Sequence, residues 1–119
     1  MTRKLVYLIG PLFARSKDLM DEYRAEAVKA ARAISALDAT PLAPHCALLL
    51  EPQAGGYERD KNQALQDRLN LLQACDAALL LPGWDRDLDC LIERSQAKTW
   101  SIPAFDSASG LAAYLREAA

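Results

Sequence analysis

Short apolar runs alternate with longer amphipathic stretches along this chain of 119 residues. Lys4-Leu-Val-Tyr-Leu-Ile9 is a brief apolar run closed by Gly10-Pro11. Its length and its Val, Tyr and Ile predict a buried parallel strand. A helix is predicted over Ser16–Leu37, with Ser16 as cap and Asp18, Asp21 and Glu22 suiting its positive N-terminal end. Ala27, Ala30, Ala31 and Ile34 recur at helical spacing, a small apolar stripe able to lie close on a sheet. Thr40–Ala43 reads as a brief second strand, broken by prolines.

His45–Arg59 is the least regular stretch. Pro52 and Gly55-Gly56 mark it as a loop, with a short apolar turn at Cys46–Leu50. Asp60–Cys75 reads as a helix with Ala64, Leu65, Leu69, Leu72 and Leu71 facing inward. Asp76 leads into a buried strand, Ala77–Leu81, which ends at Pro82-Gly83-Trp84. A helix over Asp87–Ala97 follows, then a last strand over Trp100–Phe105. Ser107 or Ser109 caps a final helix over Leu111–Glu117.

Strand and helix alternate four times, so residues 1–119 are expected to form one α/β domain. The fold is a Rossmann-like three-layer sandwich with a parallel sheet of four to five strands. Ligands of such sheets bind outside the strand C-terminal ends. Those ends are Ile9-Gly10-Pro11, Pro44-His45 and Leu81–Trp84.

Composition narrows the function. The 51% of hydrophobic residues is enough for one core. A net charge of -2, with Lys and Arg scattered apart from Arg3-Lys4, lacks the basic footprint of a nucleic-acid polymer binder. No apolar run reaches membrane-spanning length, and the start does not read as a signal peptide. A cytoplasmic location is the expectation. Cys46, Cys75 and Cys90 form no CxxC pair, disulfide framework or zinc-site spacing. Buried reduced thiols are favoured over catalytic ones.

GxGxxG and GxxxxGK[ST] are both absent, so no dinucleotide or triphosphate fingerprint is present. The informative segment runs from Pro82 to Glu93, through a turn into a helix facing the pocket. Asp89 and Glu93 are four residues apart and share one helix face. Like charges so close hinder joint ionisation, which makes an acid/base or nucleophile pair. The competing reading is a solvated helix face with Asp87 or Asp89 as its cap. Tyr7 is either a core residue or a pocket donor. His45, the single histidine, is either structural or part of a pocket wall; with no second ligand it makes no metal site. Trp84 and Phe13 could stack on a nucleobase or pack in the core.

Four segments together resemble the nucleoside 2-deoxyribosyltransferase-like superfamily. They are Val6-Tyr-Leu-Ile-Gly10-Pro11, Pro41-Leu-Ala-Pro44-His45, Leu71-Leu-Gln-Ala-Cys75-Asp76-Ala-Ala-Leu-Leu-Leu-Pro82-Gly83-Trp84, and Glu93 with Ala97 and Ile102-Pro103 behind it. The likeness spans nearly the whole chain. It implies N-glycosidic bond cleavage or 2-deoxyribosyl transfer, in which a glutamate attacks the anomeric carbon and a second base or water takes the sugar. By matching, Glu93 is that glutamate, Tyr7 the first-strand tyrosine and Gly10 the close-approach glycine. Asp67 and Asp87 hold the separations, twenty-six and six residues before Glu93, at which the transferases place two base-contacting aspartates. The catalytic set so implied is Glu93, Asp87 and Asp67. Tyr7, Gly10, Pro11, Phe13, His45, Trp84 and Asp89 are the residues expected, on this resemblance, to bind a nucleoside or nucleotide. No cofactor or metal is implied.

The chain departs from the family at two places. Relatives with the PGW motif carry Ser and Gly where this chain has Asp87 and Asp89. Those residues admit a phosphate at the helix N-terminus, and two carboxylates would repel it. A nucleoside without a 5′-phosphate is therefore expected. Counting back from Asp76, the upstream acidic position falls on Arg68 instead of Asp67, a rotation of about 100° on a helix. Besides an enzyme, the residues allow a non-catalytic nucleoside- or nucleotide-binding module, or a different hydrolase reusing the pocket. Self-association, as a dimer or higher homo-oligomer, is expected from the family. Tyr7, Gly10, His45, Trp84 and Glu93 should line one cavity.

Overall fold

The computed structural model describes residues 3–12, 16–44 and 61–118. The elements run β1 (Leu5–Ile9), α1 (Lys17–Ala36), β2 (Thr40–Leu42), α2 (Lys61–Gln73), β3 (Ala77–Leu80), α3 (Leu88–Thr99), β4 (Ala104–Phe105) and α4 (Ala108–Ala118). A 3-10 turn over Trp84–Arg86 separates β3 from α3. The four strands form one parallel sheet in the order β2-β1-β3-β4.

Alternation along the strands divides the core into two faces. Val6, Leu8, Ala77 and Leu79 point to one side, where Ala27 and Ile34 of α1 and Leu111 of α4 cover them. Tyr7, Ile9 and Ala78 point to the other, under Leu69 and Leu72 of α2 and Cys90 and Ala97 of α3. The result is the expected three-layer sandwich, with Tyr7 on the α2/α3 face.

Local chemistry sets the helix ends. Ser16 Oγ accepts from the Leu19 N–H at 3.1 Å and starts α1. Ser107, not Ser109, caps α4: its Oγ accepts from the Gly110 N–H at 3.1 Å. Asp76 fastens the sheet at the edge opposite the strand C-termini. Its Oδ2 accepts from the Leu5 N–H at 2.8 Å, and its own N–H donates to Leu5 O at 2.9 Å.

The strand expected over Trp100–Phe105 is shorter than the sequence suggests. Helix α3 continues to Thr99, and Trp100 closes it by donating to Gln96 O at 2.9 Å. Ser101 then takes a left-handed φ of 58°, so the chain uses Trp100–Pro103 to reverse direction before the ladder begins at Ala104.

The strand order places a switch point between β1 and β3. The connection after β1 leaves through α1 to β2 on one side, while that after β3 leaves through α3 to β4 on the other. Such a divergence opens a crevice at the strand C-termini.

Candidate active site

Tyr7 is fully buried in the middle of β1, and Glu93 is 3% exposed one turn and a half into α3. The Tyr7 hydroxyl donates a hydrogen bond to Glu93 Oε2. The helix phase explains the meeting: Cys90, Glu93 and Ala97 are the residues by which α3 seats on the sheet. A carboxyl therefore stands in an otherwise apolar stripe. Burial pushes the Glu93 pKa up to about 7, with Asp89 and Asp87 adding to the rise and the Tyr7 hydrogen bond and Arg68 opposing it. Burial, followed by the neighbouring Glu93 carboxylate, holds the Tyr7 phenol well above its ordinary value.

Arg68 of α2 is 2% exposed and reaches across to α3, where its Nη2 lies 2.7 Å from Asp89 Oδ2. The Asp89 side chain is 45% exposed, so one end of this ion pair is buried and the other wet. Arg68 Nε is buried with no hydrogen-bond partner among the described residues. Asp87 is the N-cap of α3, its Oδ1 accepting from the Cys90 N–H at 3.0 Å. The two acidic residues ahead of Glu93 thus differ in their bonds: Asp87 closes the helix end and Asp89 pairs with Arg68.

Gly10 and Leu12 after β1, Arg68 of α2, and Asp87, Asp89, Cys90 and Glu93 around the start of α3 line one cleft at the switch point. Its enclosed space is about 20 Å³, room for about one water molecule beside the carboxylate. A Cβ at Gly10 would lie 2.8 Å from both Cβ and Cδ1 of Leu81, so only glycine lets the end of β1 lie this close to the end of β3. Gly83 holds a φ of 90° that turns the chain from β3 into Trp84–Arg86, and Pro11 packs beside it.

Of the residues singled out in the sequence, Gly10, Asp87, Asp89 and Glu93 share the cleft, and Tyr7 joins them through its bond to Glu93. Trp84 is half-buried against the α2/α3 core. Asp67 is half-buried, and the neighbouring Arg68, not Asp67, lines the cleft. Phe13 and His45 lie outside the described residues. Inspection of apolar spacing alone passes over Arg68, yet it stands four residues after Ala64 and four before Leu72, in the register of the buried stripe. Among the described residues no group of three or more His, Cys, Asp and Glu could hold a metal ion. Cys75 and Cys90 are buried free thiols; burial pushes Cys75 up to about 11 and raises Cys90 further. Both are thereby poor nucleophiles at neutral pH. No described helix is long and apolar enough to cross a membrane.

No known family model matches this sequence, and no curated protein does. Among solved structures, a 2-deoxyribosyltransferase from the psychrotolerant bacterium Bacillus psychrosaccharolyticus is similar, with a TM-score of 0.61 over 84% of this chain and 69% of that one, at 16% identity. The likeness lies in the backbone, and by it this chain has a nucleoside 2-deoxyribosyltransferase-like fold.

Proposed function

We propose that the chain breaks the N-glycosidic bond of a nucleoside-like substrate, with Glu93 as the nucleophile. The observation that carries this reading is the buried Tyr7–Glu93 hydrogen bond at the switch point of the sheet. Burial makes the carboxylate reactive, because its charge is poorly solvated until it bonds to an electrophilic centre. The Tyr7 hydroxyl fixes Oε2, which leaves Oε1 as the oxygen we assign to attack on the anomeric carbon. As that C–O bond forms, the bond to the base breaks and its electrons leave with the base. A second base or a water then takes the sugar and frees the carboxylate, completing transfer or hydrolysis. The step needs no metal or organic cofactor.

Asp87 supports Glu93 indirectly in this reading, by closing the helix that carries it. Gly10, Pro11, Trp84 and Asp89 are assigned to the surrounding substrate site. The substrate is a free nucleoside or nucleotide and not a polymer, and we place the protein in the cytoplasm as a homo-oligomer.

One observation favours a non-catalytic nucleoside-binding module as second reading. The Asp87 and Asp89 oxygens are engaged by the Cys90 N–H and by Arg68. Free-base release from a panel of nucleosides, followed by chromatography, separates the two. Release assigns an enzyme; calorimetric binding without release assigns a module.

A further inference from the structure

We propose that Arg68 stabilises the departing base as an anion, so that the site takes glycosides of oxo-type bases, such as pyrimidine-2,4-diones, in preference to amino-substituted bases. The inference rests on the glycosidic reading of the site above and names its substrate class.

Among the described residues, those that line the cleft supply a cation but no acid poised to give up a proton. Asp89 lies against the Arg68 guanidinium at 2.7 Å, and a carboxylate held this way accepts hydrogen bonds and does not supply a proton. Asp87 accepts from the Cys90 N–H. Tyr7 already gives its hydroxyl proton to Glu93 as a hydrogen bond, and Glu93 must be ionised to attack. Arg68 lines the same cleft as Glu93, is buried, and keeps an Nε–H without a partner among the described residues. A guanidinium does not give up a proton near neutral pH, but it stabilises developing negative charge strongly where water is excluded.

This donor set fits one kind of leaving group. A Glu93 oxygen forms its bond to the anomeric carbon while the C–N bond breaks, and the electron pair passes to the ring nitrogen. In both uracil and cytosine the C2 carbonyl beside that nitrogen takes part of the pair. Only in the dione does conjugation through C6 and C5 also carry it onto a C4 carbonyl oxygen, so the dione leaves as the more stable anion for Arg68 to meet. In hydrolysis, water then adds its hydroxyl to the anomeric carbon, the bond to Glu93 breaks back to the carboxylate, and the proton of water goes to the base anion. A base of low N–H acidity, such as an aminopyrimidine, leaves well only when protonated, and Arg68 cannot protonate it.

The test compares wild-type protein and Arg68→Met on 2-deoxyuridine, 2-deoxycytidine and 4-nitrophenyl 2-deoxyriboside. The last has a leaving group stable as an anion without help. Wild type should release uracil at least about tenfold faster than cytosine. Arg68→Met should lose uracil release by about a hundredfold, the usual effect of removing one charge-stabilising donor, while nitrophenol release falls far less. Arg68→Lys keeps the charge and should recover part of the loss. Should Arg68→Met fail to fold, the uracil-to-cytosine ratio of wild type still decides. Equal release of the two bases, or a uracil preference that survives Arg68→Met, overturns the role of Arg68. Nitrophenol release with no such preference sinks this proposal alone. No release from any of the three overturns the glycosidic reading with it.

Discussion

The Tyr7 hydroxyl, from the centre of β1, bonds to the Glu93 carboxylate on α3 across a mostly apolar interface that also buries Arg68. The pair brings together two groups eighty-six residues apart in the chain. Neither side chain is exposed to bulk water, so Tyr7 controls how much of the carboxylate's charge the core tolerates.

That burial gives folding stability a definite dependence on pH. Burial raises the Glu93 pKa to about 7 in the folded chain, against an ordinary value of 4.5. Below 4.5 both folded and unfolded forms hold the proton, and nothing is lost. Between the two values the folded form binds more protons, so stability falls as pH rises, and the full loss persists above 7. Glu93→Gln removes the titration. The variant should therefore gain on wild type by at most about 3 kcal/mol between pH 4.5 and pH 8, as read by urea unfolding at both pH values. A gain that does not change with pH would show that Glu93 keeps an ordinary carboxyl value.

Tyr7→Phe tests the other partner. Loss of a hydrogen bond to a charged acceptor should destabilise the protein by about 1.5–3 kcal/mol at pH 8. Because that bond lowers the Glu93 pKa, the alkaline-going rise in glycosidic activity should move to higher pH. The other charged groups around Glu93, namely Arg68, Asp87 and Asp89, are unchanged in the variant, so a shift reports on the phenol. An unchanged pH–rate profile would reduce Tyr7 to a packing role.

Discrimination against phosphate follows from the start of α3. Asp87 already occupies the Cys90 N–H, and a dianionic phosphate brought beside its carboxylate meets a repulsion of about 1–4 kcal/mol. Arg68 offsets part of the charge of Asp89. The chain should bind nucleosides more tightly than their 5′-monophosphates. Asp87→Ser with Asp89→Gly should reverse the order, since it removes both carboxylates from the helix start and releases Arg68. Calorimetric titration of both proteins with one deoxynucleoside and its monophosphate measures this, with a melting curve to verify the fold. Tighter monophosphate binding by the unmodified chain would show that the carboxylates do not oppose the ligand.

Light scattering at micromolar concentration should find a dimer or a larger closed assembly. Leu88 is 71% exposed and Leu91 is 42% exposed on α3 beside the cleft, apolar surface that a second copy would cover. A strict monomer would remove self-association from the account.

The layered architecture was legible because β1 and β3 are short apolar runs that become buried, and α1 has a capping residue, Ser16, and a small-residue stripe, the Ala27–Ile34 face. The end of α3 was not legible: Trp100-Ser101-Ile102 has strand-like composition, and only the left-handed Ser101 and the bond from the Ile102 N–H to Ala97 O turn it into a helix stop. At the site, the spacing of Asp89 and Glu93 foretold a shared face but not their different surroundings. Their difference comes from α2, which buries Arg68 against one carboxylate while β1 presents Tyr7 to the other. Such contacts between segments distant in sequence leave no local pattern, and of Asp67 and Arg68 it is Arg68 that the helix turns inward.

The most direct test of the central claim is the rate of free-base release by Glu93→Gln against wild type, on whichever nucleoside the wild type cleaves best. The amide keeps the size of the side chain and can still accept from Tyr7, but it lacks the charge that attacks the sugar. The account predicts a loss of at least about a hundredfold with the melting transition retained. Turnover equal to wild type in a folded variant would contradict it and leave Glu93 a buried structural carboxyl.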